Sequence, residues 1–510
     1  MLTSATKSRW RESKYLPFAV VGFGAVLAGL LAVARVDQVG PLARPEFAQV
    51  TDLPLPAYPM ALLGIGAVAM ASRAWWFGLA LFFAWLPFED LVRKFANNDI
   101  RVYFVKDLLL LLALLGVAPR LRGCWRGPLG DLWLPTVGIF CIAVVYAVPA
   151  ALIHPSIPIV GIHGRFLYAV LFPVGAYLAA DRDRLQSALL WLAVPSALVC
   201  AVGIAQSIIG PEFLNPDLRA SAFEHLTVTK VIGEADVVRP AGPFADVSRF
   251  ASMTIVATTL AGCSLRLARS QFERRISIFA LIAALAGAFA SGSRTAILVA
   301  PPVAVLAALA MPPQVRRRVA RTLVGTLAAV AIATVTFGGT ALAQSLNRVT
   351  LYVATLNPGT STFELGSRAR VYATNAATGA QFGGFLGNGT GTEAIGKRYL
   401  GLEEDASQVE SGWGAVGAEW GFLGLAAWVA WSILWTRRAF RAAQARTNET
   451  SVIAPVVAAY LASLLLVMFS LGSGFLDNYI ANIFFWLLSG AAFASLVGPT
   501  RANPGSPILQ

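Results

Sequence analysis

The sequence predicts an all-α integral membrane protein of about 12–14 transmembrane helices with one long extracytoplasmic loop. Three observations point there. Of 510 residues, 57% are hydrophobic and only 13% are charged, and mean hydropathy is +0.66. That composition leaves too little polar surface to keep a chain of this length in water. Apolar stretches long enough to cross a bilayer recur from Leu16 to Val497. Basic residues flank them and supply most of the net charge of +13, so no nucleic-acid partner is needed to explain that charge.

The first apolar run follows Lys7, Arg9, Arg11 and Lys14 and lacks a small-residue cleavage site, so a retained helix is expected near 16–36. Helices near 57–72, 74–92, 103–118 and 131–153 complete an N-terminal group, residues 1–158. Helices near 163–180, 185–209, 242–265, 276–291, 294–311 and 320–340 make a transmembrane core, residues 159–340, with an outer loop at 210–241. Residues 341–411 form the long loop, and helices near 412–435, 452–471 and 477–497 close the chain before a tail at 498–510. Alternate connections are rich in Lys and Arg: the N-terminal tail, Arg73, Arg120 to Arg126, Arg182 with Arg184, Arg266 to Arg275, Arg316 to Arg321, and Arg437 to Arg446. Basic loops resist translocation, which puts both termini in the cytoplasm of a bacterial inner membrane and the two long loops outside. Cys124, Cys141, Cys200 and Cys263 are far apart in apolar surroundings and are expected to be packing residues, with no metal-ligand spacing.

This orientation gives Arg294 its interest. It stands in the turn Ser291-Gly292-Ser293-Arg294-Thr295 between two apolar runs, at the outer face, with Arg239 and Arg165 expected at the same level. Arginines kept at a membrane rim are costly unless an anion or water meets them, so the three suggest a polyanion site. The plain alternative is an interfacial arginine snorkelling to lipid headgroups, or, for Arg239, simple exposure in a loop. The long loop joins glycine-rich turns, Gly383-Gly384 and Gly387-Asn388-Gly389-Thr390-Gly391, to Tyr372, Tyr399, Trp413, Arg368, Arg370, Lys397, Arg398 and the acids Glu403, Glu404, Asp405 and Glu410. Aromatic rings with directional polar groups are what a carbohydrate-binding surface uses.

The segment Arg239-Pro240-Ala241-Gly242-Pro243-Phe244 resembles the Arg-x-x-Gly-x-Phe segment of the O-antigen ligase and Wzy-type O-antigen polymerase superfamily. Ser291-Gly292-Ser293-Arg294 resembles its Ser-x-Ser-Arg turn. Glu410-Ser411-Gly412-Trp413 with Glu419-Trp420-Gly421-Phe422-Leu423-Gly424 is similar to the end of its periplasmic loop, and Asp477-Asn478-Tyr479 through Phe485-Trp486-Leu487-Leu488-Ser489-Gly490 to its closing helix. The resemblance covers most of the chain after about Ile159, with only hydropathy matching before that.

Membership would imply a GT-C-like, metal-independent glycosyltransferase needing no cofactor, whose donor is a polyprenyl-pyrophosphate-linked oligosaccharide. Its partners would be that substrate, membrane lipids, a chain-length regulator and export machinery, and no nucleic acid. Breaking the bond from an anomeric carbon to a pyrophosphate oxygen builds negative charge on the leaving group, which positioned guanidinium groups stabilise. Arg239 and Arg294 are expected in that role, with Arg165 third and Lys106 a further contact, unless Lys106 and Asp107 form a neutralising ion pair with each other. Tyr399, Trp413 and Asp477 are expected to touch substrate. The acceptor hydroxyl calls for either a general base or a strongly polar partner as it attacks the anomeric carbon. Ligases of the superfamily offer a loop histidine there, but the histidines here are His154, His163 and His225, none of them between Ala341 and Ser411. The departure puts ligation to lipid A-core in doubt. Glu410 is the expected substitute, unless it merely balances Lys397 and Arg398; Glu419 and Asp477 are secondary. His163 is expected at a helix end, close in sequence to Arg165. Polymerisation of lipid-linked units into a surface or secreted polysaccharide is the expectation, with transfer of the finished glycan to a lipid or protein acceptor as the alternative. A transporter or flippase for an anionic glycolipid is a reading of a different class, and would be marked by internal repeats and broken helices.

Overall fold

The computed structural model describes residues 75–95, 100–125, 128–209, 214, 229–232, 235–244, 246–309, 317, 321, 365–394, 409, 411–445, 449–468 and 478–497. The expected helices near 16–36, 57–72 and 320–340 lie outside the described residues. In chain order the helices are α1 (Trp75–Phe95), α2 (Ile100–Trp125), α3 (Pro128–Val145), α4 (Ala147–Ile153), α5 (Ser156–Phe166), α6 (Leu171–Ala179), α7 (Arg182–Ile209), α8 (Val247–Leu267), α9 (Gln271–Ala290), α10 (Arg294–Leu309), α11 (Leu365–Gly383), α12 (Gly412–Gln444), α13 (Ala454–Ala462) and α14 (Tyr479–Phe493).

Local chemistry sets several helix ends. Asp246 caps α8 by accepting from the Ser248 amide at 2.6 Å, which is why the helix begins after the Pro243-Phe244 turn and not at 242. Ser270 and Glu273 form a reciprocal capping box, so α9 starts at Gln271, five residues before the expected 276. Asn478 caps α14, accepting from Ile480 and Ala481.

Six helical stretches among the described residues are long and apolar enough to cross a membrane: 130–153, 156–179, 182–207, 247–267, 412–444 and 479–496. Their burial runs against their hydropathy. The most apolar, 130–153 at 2.4, is only 22% buried, whereas 247–267 at 1.3 is 94% buried. A water-soluble bundle hides its most apolar helix; here the polar helix is central and the apolar faces point outward, as a lipid solvent demands. Thr254, Thr258 and Thr259 can sit on the central helix because each hydroxyl donates to a carbonyl three or four residues back, at 2.7–2.9 Å. The chain is a helical membrane protein.

Helices α7, α8 and α9 pack on one another, α10 lies on α8, α14 runs along α6, and α11 lies against the first turns of α12. Close crossings use glycine: a Cβ at Gly175 would meet the Leu487 carbonyl, and one at Gly490 the Phe172 carbonyl, so α6 and α14 touch backbone to backbone. Beyond that crossing, the rings of Trp133, Phe172, Trp431, Trp435, Phe485 and Trp486 pack at centroid distances of 5.0–6.1 Å.

The all-α class stands, with one short antiparallel hairpin, β1 (Thr229–Ile232) and β2 (Ala235–Val238), added in the connection between α7 and α8. Several helix expectations need correction. The helix expected at 163–180 begins earlier, at Ser156, and is broken by a 3-10 turn at Leu167–Val170 between α5 and α6. The stretch 131–153 likewise divides at Tyr146, and 452–471 becomes a 3-10 turn (Glu449–Ile453), α13 and a π-helical segment (Ser463–Met468). The connection 341–411 contains α11, which its weak hydropathy concealed.

Placing a methyl at the α6–α14 crossing should be costly. Gly175→Ala and Gly490→Ala should each destabilise the folded protein by about 1–3 kcal/mol through overpacking, read as thermal unfolding in a fixed lipid or detergent. A control at Gly138, where an added Cβ meets nothing within 4 Å, should leave the transition unmoved.

Candidate functional site: a buried acid–base belt and a glycine clasp

The glycine-rich stretch ending the long connection is a clasp. Gly384, Gly387, Gly389 and Gly391 all have positive φ (62°, 75°, 110° and 95°), which bends the chain tightly after α11. The bent segment wedges between α4, α5 and a break in α12 at Gly421 (φ 63°, ψ −167°). A Cβ at Gly391 would collide with the Ile157 carbonyl, and one at Gly389 with Ala150, so only glycine fits. The break exposes backbone groups, and the clasp satisfies them: Asn388 N donates to Ala418 O at 3.0 Å, Gly389 N to Glu419 O at 2.8 Å, and Phe422 N to Gly384 O at 3.0 Å. Thr390 is the anchor. Its amide donates to Tyr146 O at 2.8 Å, its hydroxyl donates to Ala143 O at 2.7 Å, and that oxygen accepts from Trp420 Nε1 at 2.9 Å.

Beneath the clasp, Glu419 pairs with Arg165 of α5, and both are buried. Glu419 Oε1 also accepts from the Glu393 amide at 3.0 Å, and the Arg165 guanidinium lies over the Trp420 ring at 5.3 Å. Asn482 of α14 donates to the carbonyls of Gly164 (2.5 Å) and Arg165 (3.3 Å), which the end of α5 leaves open.

Three further acid–base pairs continue this belt across the bundle. Lys106 of α2 meets Glu89 of α1 at 3.1 Å with both side chains fully buried. Arg249 near the start of α8 donates to both oxygens of Asp90 at 2.6 Å. The Tyr479 ring lies between these cations, 4.8 Å from Lys106 Nζ and 5.0 Å from the Arg249 guanidinium, and its hydroxyl donates to Leu86 O at 3.1 Å. His163 Nε2 is 2.8 Å from Asp107 Oδ2, and Tyr168 donates to Asp107 Oδ1 at 3.0 Å. Each pair joins two different helices, and the charges of Lys106 and Arg249 taken from water find opposite charges.

The expected site residues fall into distinct places. Arg165 sits nine residues after the start of α5 at Ser156, about 14 Å along the helix axis, and Glu419 holds it. Lys106 and Asp107 are not each other's partners, because consecutive helical positions face different neighbours; Lys106 goes to Glu89 and Asp107 to His163 and Tyr168. Glu419 is engaged by Arg165 and Glu393. Trp413 lies half-buried in the first turn of α12. Glu410, Tyr399 and Asp477 lie outside the described residues. Arg239 follows β2 and is half-buried, and Arg294 opens α10.

The turns bearing Arg239 and Arg294 reach the same end of α7. Gln206 accepts from the Gly242 amide at 2.6 Å, and Gly203 and Gly242 both abut the Phe250 ring. Gly287 packs on Cys200, and the Ser291-Gly292 turn follows about one helical turn, ~5 Å, further along. Gly292 and Gly242 share a positive φ of 59°, each reversing the chain beside its arginine.

Sequence patterns missed Glu89, Asp90, Arg249 and Asn482. The available signal was the presence of ionisable or amide side chains inside apolar helices, which by itself marks a buried partner.

The opposite end is held by exposed charges. Glu449 accepts from Arg182 at 3.0 Å and Arg269 at 2.7 Å, and Arg269 reaches Asp183 at 3.3 Å. The Arg182 hydrogen bond and the Arg269 charge hold the Glu449 carboxyl below its usual range. Two of the basic connections, those of Arg182 with Arg184 and of Arg266 to Arg275, thus meet through Glu449.

No protein-family model matches the chain, and no curated protein is significantly similar to it.

The belt predicts an asymmetry in mutational cost. Glu419→Ala should lose about 3–5 kcal/mol by stranding Arg165, whereas Arg165→Met with Glu419→Leu should lose far less. Equilibrium unfolding of the four corners of this cycle measures the coupling, and strictly additive losses would show the two residues to be independent.

Proposed function

We propose that this protein is a membrane glycosyltransferase that polymerises polyprenyl-pyrophosphate-linked oligosaccharides into a surface or secreted polysaccharide on the outer side of the cytoplasmic membrane. The observation that carries the proposal is the convergence of the Arg239 and Arg294 turns on one end of α7. We assign Arg239 and Arg294 to the donor pyrophosphate because the two turns that carry them meet at this one end of α7. As the anomeric carbon separates from the pyrophosphate oxygen, their planar donors stabilise the growing charge. The clasp and α11 belong to the connection that would cover the sugars, and the exposed apolar faces would admit the polyprenyl tails.

A second reading, transport of an anionic glycolipid, draws support from the broken helices. The α5–α6 interruption and the Gly421 break flank a buried ion pair within the span, an arrangement secondary transporters also use.

Purified protein in lipid nanodiscs, given lipid-pyrophosphate oligosaccharide, should produce longer lipid-linked glycans. Unchanged donor from folded protein would count against the enzyme, and movement of intact glycolipid across a vesicle membrane would favour transport. Arg294→Lys should lower turnover about 10²-fold, since lysine keeps the charge but loses the planar fork. Full activity would remove Arg294 from the site.

A further inference from the structure

A transfer reaction of this kind needs a group to take the acceptor's proton, and the carboxylates expected there do not provide one among the described residues. Glu419 is committed to Arg165 and the Glu393 amide, and Glu410 and Asp477 lie outside the description. We propose that His163, positioned by Asp107 and Tyr168, is the base that takes the proton from the acceptor hydroxyl. The inference rests on the glycosyltransferase reading and names a further residue of its site.

The geometry is that of an oriented imidazole. His163 Nε2 lies 2.8 Å from Asp107 Oδ2, and Asp107 is fixed through its other oxygen by the Tyr168 hydroxyl at 3.0 Å. A carboxylate held on both oxygens can fix the ring's orientation and stabilise the imidazolium formed when the ring accepts a proton. Of the described histidines, His154 instead accepts from the Ser156 amide at 3.3 Å and caps the α4–α5 turn.

His163 is the most exposed ionisable side chain of the belt: it is 22% exposed and Asp107 14%, against 13% for Arg249 and at most 4% for Lys106, Glu89, Asp90, Arg165 and Glu419. The pair is also the member of the belt that carries an imidazole, the side chain most used as a general base. Facing the ring are Asp107 from α2 and Tyr168, with Phe104 edge-on at 6.0 Å; Lys106 and Arg165 are drawn into their own pairs.

The surroundings fit an acceptor that arrives through the lipid. Phe104, Leu108, Leu111 and Leu115 form an exposed apolar stripe on α2, and Asp107 stands at its edge. A lipid-linked acceptor moving along that stripe would pass the His163–Asp107 pair. In the reaction the acceptor O–H bond breaks and its proton passes to the imidazole. The oxygen's electron pair forms the bond to the anomeric carbon as the bond from that carbon to the pyrophosphate oxygen breaks, and that electron pair leaves with the pyrophosphate.

The test uses the full chain in nanodiscs with lipid-pyrophosphate oligosaccharide, following both donor binding and elongation. His163→Gln should slow elongation about 10²–10⁴-fold while leaving donor binding within about twofold. Added imidazole should restore part of the rate to His163→Ala and none to a variant that has lost donor binding. Asp107→Asn and Tyr168→Phe should lower kcat more than they change KM. Wild-type elongation that persists in folded His163→Gln overturns the assignment and leaves the glycosyltransferase reading standing. Wild-type protein that elongates nothing overturns both. If His163→Gln does not fold, folded Asp107→Asn with wild-type kcat overturns it.

Discussion

The pairing of buried charge governs this structure. In hydrocarbon an unpaired carboxylate or guanidinium is costly enough to be excluded or neutralised, so every ionised group inside the bundle dictates which helix must lie beside it. Arg165 brings α5 to α12, Lys106 brings α2 to α1, Arg249 brings α8 to α1, and His163 brings α5 to α2. Hydrophobic attraction cannot make these choices, because lipid tails are as apolar as leucine. The four pairs therefore set neighbour identity, and glycine contacts such as Gly175 with Leu487 set how closely the neighbours approach.

The same pairing explains why the long connection is drawn down onto the membrane core. Breaking α12 at Gly421 leaves amides and carbonyls without helical partners, and such groups cannot be left in hydrocarbon. The clasp repairs the break from outside the helix, with Gly389 and Asn388 bonding to the carbonyls of Glu419 and Ala418. The side chain of Glu419 is thereby held at the one place where it reaches both Arg165 and the Glu393 amide. The break, the clasp and the ion pair need one another.

Much of the helical layout was legible in the sequence, because a 20-residue apolar run has few alternatives in a membrane protein. Helices α7, α10 and α14 begin or end within a few residues of their hydropathy limits. What hydropathy could not reveal was continuity within a run. The interruption at Leu167–Val170 and the turn at Tyr146 occur in apolar sequence and are set by neighbours: Thr390 donates to Tyr146 O, and Asn482 accommodates the end of α5. For the same reason Arg165 read as lying at the start of a helix. The position of Ser156 as the true start of the helix depends on the Pro155 turn after α4, which the apolar pattern of residues 147–153 concealed. The glycine-rich stretch was legible as a bend but not as a buried one, since its burial depends on Ala150, Ile157 and Gly161 from distant sequence.

These corrections alter how the arginines divide their work. The sequence invited treatment of Arg165, Arg239 and Arg294 as three equivalent ligands for one anion. A guanidinium already satisfied by Glu419 in a buried setting would have to surrender that partner to bind a phosphate, leaving Glu419 stranded at a cost of several kcal/mol. The turns beside α7 reverse the chain through Gly242 and Gly292 and not within a packed helix. On the proposed reading, Arg165 belongs to the architecture and the anion to the Arg239 and Arg294 turns. An anion bound at those turns would leave the Arg165–Glu419 pair intact, so the bundle would not have to reorganise each time a ligand came and went.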